Sequence, residues 1–550
     1  MTLSPDARAS KPSWYEVLIA AVLAASLYIY LFGADTLAPT HYTWLLQGDP
    51  AQHYLGWQFF RNEAWQWPVG RIQSFGYPSG TAIVFTDSIP LLALFFKPFS
   101  QLLPAEFQYF GAWMLACYVL NGYFGLRLIA RHTSHSGLRI AAASFFILSP
   151  PLLLRGYGHE ALMAHWLVLA SLDTCLREWC YRRWLLWSSI AALVHPYLLV
   201  MVLGLLAASF ATTVCVDKKP PLRLVLLQCV GIGLVLLSLM GLAGYFSSVG
   251  SLQADGYGYY NMNILSLVDP LLDWSRYVRQ RPIHPEYAAL GNFGQYEGFL
   301  YLGAGMILLF IMALGLFLMR PQQLARRFWP VVAVALIFWL LALSNVVTFG
   351  DQTLFTLQIP QALHQTLSVF RASGRFGWPA FYLVNLVVLV LIIRNLPARS
   401  ALAVLLAALL LQVADQSDKY VEFRGLIRQR MAWQTPLQSP QWAAMAQKAN
   451  ALVMIPPLPD IAKTYIAFAH LAVAHRLVTN AAQIARDDLK RTEASGQAMA
   501  ESLAQGVYNP LTLYVFSRRE ELANLPPDLA GQVLALDGYF VLPPGLPRLN

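Results

Sequence analysis

The chain has 550 residues, of which 57% are hydrophobic and only 12% charged. A soluble protein of this length carries roughly twice that charge, so the composition excludes an ordinary soluble domain and implies a polytopic membrane protein. The formal net charge of +9 does not call for nucleic acid, because most basic residues fall in short loops between apolar segments, where Lys and Arg set topology.

Apolar segments long enough to cross a bilayer, about 20 residues each, recur along the chain. The first, Tyr15–Phe32, follows MTLSPDARASKPSW, which offers no small-residue cleavage site, so it reads as a retained helix. Further spans are expected near 106–129, 140–154, 161–176, 184–194, 197–215, 223–246, 298–319, 328–348, 378–394 and 400–415. The pair 184–215 is broken at His195-Pro196, where proline interrupts a helix and His195 reads as part of the kink. Basic clusters fall at Arg127/Arg131/Arg139, Arg177/Arg182/Arg183, Lys218/Lys219/Arg223, Arg320/Arg326/Arg327 and Arg394/Arg399. Placing these clusters in the cytoplasm gives about eleven crossings, with the N-terminus inside and the C-terminus outside. Ile89–Leu103 is apolar but holds Lys97 and Pro98, and as a span it would invert the Arg131 loop. It is expected to lie along the outer interface. The five cysteines lie in or beside apolar spans and imply neither a disulfide framework nor a metal-type pairing.

The external side of this transmembrane module (1–415) then gathers loops at about 33–105, 155–160, 247–296 and 350–377. Beyond Asp415 charge rises and apolar runs shorten to strand length. Strands are expected at 450–457, 511–516 and 538–542, with helices at 461–475 and 487–504. This predicts an extracytoplasmic α/β domain over 416–550.

Asp49 is the most informative residue, in GDPAQH just past the first span. Carboxylates near the bilayer boundary lose solvation and are few. A helix through Asp49 and His53 puts both on one face, and Asp49-Pro50 also has the form of an N-cap followed by the first helical residue. In the first loop Asp49, His53, Arg61, Glu63, Arg71 and Asp87 interleave with Trp57, Trp65, Trp67 and Tyr77. That pattern suits sugar binding and suits a membrane interface equally. External arginines run against the basic-inside bias. Arg155 opens RGYGHE, and Arg371 and Arg375 sit four apart in FRASGRFGWP. Their planar guanidiniums match phosphate oxygens, or they pair with acidic residues of the folded loops. His159 and Glu160, with His165 a turn or more into the next span and Asp49, offer oxygen and nitrogen ligands for a possible divalent cation. The long loop carries His284 and Glu286, and Glu297 enters the next span as a site-lining or capping residue. Asp49, the 155–160 loop and the 371–375 segment are expected to converge on one external cavity. No P-loop, GxSxG or dinucleotide fingerprint is present.

The order of a first span, GDPAQH, DSIPLLALFFKPF and a span ending at Arg127 and Arg131 resembles the GT-C superfamily of membrane glycosyltransferases over Tyr15 to about Pro151. Ile89-Pro90-Leu91 stands where the aminoarabinose and protein mannosyl branches have an interfacial Pro-Pro-Leu, and Pro50 follows Asp49 where an acidic pair is usual. The whole chain more closely resembles bacterial membrane proteins of the DUF6311 type, through GYGYYNMNILSLVDP, YEGFLYLGAG and FRASGRFGWP. The superfamily resemblance implies a bacterial inner-membrane enzyme with a periplasmic C-terminal domain. It would take sugar from a polyprenyl-phosphate donor to a glycan or lipid acceptor, with Asp49 as catalytic base. His53, Asp87, Arg155, His159, Glu160, Glu297, Arg371 and Arg375 are then the candidate substrate-binding residues. A lipid-linked saccharide transporter or a non-catalytic envelope-assembly subunit is the alternative.

Overall fold

The computed structural model describes residues 11–247, 256–281, 294–319, 325–457, 464–486 and 489–545. Arg320, His284 and Glu286 lie outside the described residues. The chain is a helical membrane protein with a C-terminal α/β domain. Among the described residues seven helices are long and apolar enough to cross a membrane, beginning with Trp14–Phe32 and ending with Ala398–Asp415.

Local chemistry explains where the helices start and stop. Ser13 and Glu16 form a capping box for the first helix, which ends at Gly33 with φ 82°, a left-handed position that favours glycine. The expected span 140–154 is instead helix Ser136–Ile147 followed by the short helix Pro150–Arg155, because Pro150 and Pro151 have no N–H to continue the first. The span 161–176 shortens to Trp166–Cys175 behind a 3-10 turn, Glu160–Met163. His195 closes helix Tyr181–Val194 and caps Pro196–Ala211, its Nδ1 accepting from the Tyr197 N–H at 3.2 Å. Residues 299–303 are not helical, and that helix runs Ala304–Met319. Asp415 meets its start, accepting from Ala304 N and Tyr301 Oη at 2.9 Å.

The chain divides into two compact units. The first comprises Met1–Leu37, Phe110–Leu237 and Gln253–Ile427. Its helices join two sets of loops. One set, around Arg131, Arg177, Asp217 and Arg327, is basic and cross-linked by ion pairs. The other contains the 155–160 turn, the 294–298 turn, a hairpin of Val346–Phe349 and Gln352–Thr356, and the 373–377 turn.

The second unit comprises Ala38–Tyr109, Ser238–Leu252 and Arg428–Asn550. Its five-stranded sheet runs Val478–Thr479, Ala451–Ile455, Thr512–Phe516, Tyr539–Leu542, Leu534–Leu536. The first two pairings are parallel and the last two antiparallel. Ala451–Ile455 and Thr512–Phe516 are buried along their whole length, as expected of central strands covered on both faces. The sheet does not end at Thr479. That residue donates to Ser74 O and accepts from the N–H groups of Gly76 and Tyr77, each at 2.9 Å. The segment that follows the first helix thus docks on the edge strand of the C-terminal domain and covers it. Farther along, Ala485 N donates to Phe85 O at 2.8 Å.

Candidate functional site

In the second unit, helix Asp49–Asn62 buries every residue from Pro50 to Arg61, whereas Asp49 in its first turn is exposed. The cap is Gly48, not Asp49. Gly48 has φ 62° and ψ −147°, a conformation close to one that only glycine adopts without strain. The helix is fixed against the turn that follows it in sequence. Gln52 donates to Phe85 O at 3.2 Å, Ser88 Oγ donates to His53 O at 2.6 Å, and Gly56 lies so close to Thr86 that a Cβ there would meet it at 2.4 Å. His53 is therefore buried with its helix, and Asp87 sits half-buried at a left-handed position, φ 53°, within electrostatic reach of Tyr245. The helix Thr464–Ala474 packs on the same element. Burial raises its Tyr465 phenol above the ordinary range, and the Asp49 carboxylate adds to the rise.

Other polar residues of this loop have structural duties. Arg61 donates to Pro104 O at 2.7 Å, Ser100 O at 2.8 Å and Ala105 O at 3.0 Å, holding the 100–105 segment. Glu63 accepts from Ser74 N at 3.2 Å. Trp57 is core, with its indole N–H on Phe107 O at 2.9 Å, while Trp65, Trp67 and Tyr77 are exposed.

The first unit holds its own polar cluster. The Arg155 guanidinium reaches Glu297 Oε2 at 2.6 Å and Glu297 O at 3.2 Å, and Arg375 Nε donates to Glu297 Oε2 at 2.8 Å, with its Nη2 on Oε1. Burial alone would raise the Glu297 carboxyl, but the two guanidiniums, with His159 assisting, hold it well below the usual carboxylate range. The arginines also lie over aromatic faces, Arg375 at 4.8 Å from the Tyr197 ring and Arg155 at 5.3 Å from Trp378. Tyr197 Oη accepts from Ala372 N at 2.8 Å. Glu160 is fully buried, and its carbonyl accepts from the Trp113 indole at 2.8 Å.

Arg371 is different. It is exposed and lies 5.4 Å from the Tyr260 ring centre. The 371–375 stretch is not a regular α-helix, and a 3-10 turn begins at Ser373, so the four-residue spacing does not give the two arginines one role. Neither Tyr197 nor Trp378 stands out in the sequence, nor does Tyr382, whose hydroxyl meets His165 at 2.7 Å, because each contact joins segments far apart in the chain. Among the described residues no group of three or more His, Cys, Asp and Glu is gathered closely enough to hold a metal ion.

The family model described as a domain of unknown function (DUF6311) matches residues 21–417, and the DUF6311 C-terminal domain matches 441–544. No curated protein matches the sequence. Among solved structures, the chain is similar to the archaeal oligosaccharyltransferase AglB from Archaeoglobus fulgidus, solved with an inhibitory peptide and a dolichol-phosphate. The identity is 12% and the TM-score 0.39, over 92% of this chain and 70% of that one.

Proposed function

For this chain, which belongs to the DUF6311 family, we propose glycosyl transfer from a polyprenyl-phosphate sugar to an extracytoplasmic glycan or lipid acceptor. The observation that carries the reading is the presentation of Asp49: an exposed carboxylate at the head of a helix whose next twelve residues, Pro50–Arg61, are buried. A rigid, buried support under an exposed acid is what a general base requires, since it must be held in place and still be reached. The Asp49 carboxylate takes the proton of an acceptor hydroxyl as that oxygen attacks the anomeric carbon. The bond from that carbon to the phosphate oxygen breaks, and the lipid phosphate leaves as an anion that needs a cation more than an acid.

Arg155 and Arg375 are already bound to Glu297, so neither is free for that phosphate. Those two position the segments on which they sit. The protein lies in the bacterial inner membrane with the 416–550 domain in the periplasm, and about eleven helices cross the bilayer. His53, Asp87, His159 and Glu160 contribute by shaping their segments.

The test is full-length protein in lipid nanodiscs, offered a panel of polyprenyl-phosphate sugars with candidate acceptors, with released polyprenyl phosphate measured. Release that depends on acceptor and on Asp49 supports the reading. Translocation of the lipid-linked sugar without release would replace it with transport.

A further inference from the structure

The basic loops of the first unit do more than set topology. Arg131, Arg177, Arg183 and Arg327 line a cavity of about 480 Å³ together with Leu176, Glu178, Trp179 and Cys180. Three guanidiniums converge on one buried carboxylate. Asp173 is 2.7 Å from Arg127, 2.8 Å from Arg177 and 4.0 Å from Arg131. Arg327 pairs with Asp217 at 3.2 Å and also donates to Arg177 O, closing the wall of the cavity. Arg183 faces the same cavity and joins no ion pair among the described residues.

The cations therefore exceed the local carboxylates, Asp173, Asp217 and the exposed Glu178. Burial and the surrounding arginines lower Arg131 to about 10, and burial with Arg394 and Arg131 lowers neighbouring His132 to about 3. Loops that only fixed orientation would keep their charges apart and hydrated. Here they are drawn together around one open depression, which Arg183 faces without an ion pair among the described residues.

We propose that Arg131, Arg177, Arg183 and Arg327 form a binding site for a phosphate-class anion, independent of Asp49 and on the basic-loop side of the protein. Guanidinium forks converging on one cavity match the oxygens of a phosphate monoester or diester. The occupant is supplied either as the headgroup of an anionic phospholipid or as free phosphate. Basic pockets at the cytoplasmic ends of membrane helices are suited to the former.

The experiment uses the full chain in neutral detergent. Native mass spectrometry follows titration with cardiolipin against phosphatidylcholine, and thermal unfolding is followed with inorganic phosphate and pyrophosphate. A lipid site gives saturable cardiolipin adducts that phosphate does not displace, whereas a free-phosphate site gives a saturable rise in Tm. In either case Arg183→Gln should weaken binding by about 10-fold or more, and Arg183→Lys less. Arg182→Gln removes the adjacent exposed charge without touching the cavity, so it should leave binding unchanged. Equal losses in Arg182→Gln and Arg183→Gln would reduce the effect to general surface charge and overturn the proposal. Absence of saturable binding of every probe would overturn it as well.

Discussion

Glu297, in the 3-10 turn Gly294–Gly298, and Asp49, at the start of helix Asp49–Asn62, are both acidic, and the protein treats them in opposite ways. Glu297 is enclosed, with both carboxylate oxygens on guanidiniums and its backbone carbonyl on Arg155. Asp49 is exposed at the first turn of a helix whose cap is a glycine. A buried carboxylate between two arginines cross-links the segments that carry them, and it is kept because removing one partner leaves the others charged in a low-dielectric interior. An exposed carboxylate on a rigid support stays accessible. The contrast separates the acid that holds the fold from the acid assigned to chemistry.

The largest effect should come from breaking the enclosed side. Glu297→Gln leaves Arg155 and Arg375 buried without their counter-charge and should cost about 3–5 kcal/mol, read as a loss of Tm or of folded yield in detergent. An unchanged Tm would mean that water reaches the pair. Gly48→Ala comes next. With φ 62° and ψ −147°, a Cβ there should cost about 1–3 kcal/mol, and the reorientation of the first turn should lower transfer along with stability.

Acid sharpens the contrast further. Glu297 has a depressed folded pKa, so its contribution is present above the ordinary value of 4.5 and is lost as pH falls through the folded value. His132 is held neutral, so stability is full above 6.5 and declines as pH falls toward about 3. His132→Gln should therefore flatten the fall in Tm between those limits, whereas Asp49→Asn should leave the curve nearly as it was. The smallest effect is that of Asp49→Asn on stability, within about 0.5 kcal/mol, checked by thermal unfolding.

The apolar segments were legible as continuous apolar runs, and helices stand at every segment from 15–32 to 400–415, of which seven among the described residues are long and apolar enough to cross a membrane. Central strands were legible for the same reason: ALVMI and TLYVF are continuous apolar runs. Val478–Thr479 was not, being two residues long and defined by its neighbours. Nor was the docking of the first loop on that strand, since Ser74–Tyr77 and Thr479 are separated by some four hundred positions and carry no shared pattern. At the candidate site, Arg155, Glu297 and Arg375 were identifiable as unusual residues, but spacing alone does not distinguish a cation awaiting phosphate from one already paired. Gly48 shows a subtler limit. Asp49-Pro50 satisfies the composition of a capped helix start, yet the glycine before it takes the cap because only it accepts the required backbone angles.

Single-turnover transfer by Asp49→Asn decides whether this carboxylate is the base. Donor binding and folding should persist, since the substitution keeps the size and hydrogen-bonding capacity of the side chain. The transfer rate from a defined polyprenyl-phosphate sugar should fall by about 10²–10⁴-fold. Transfer at the unaltered rate, with the same donor and acceptor, would contradict the assignment of Asp49 as the base.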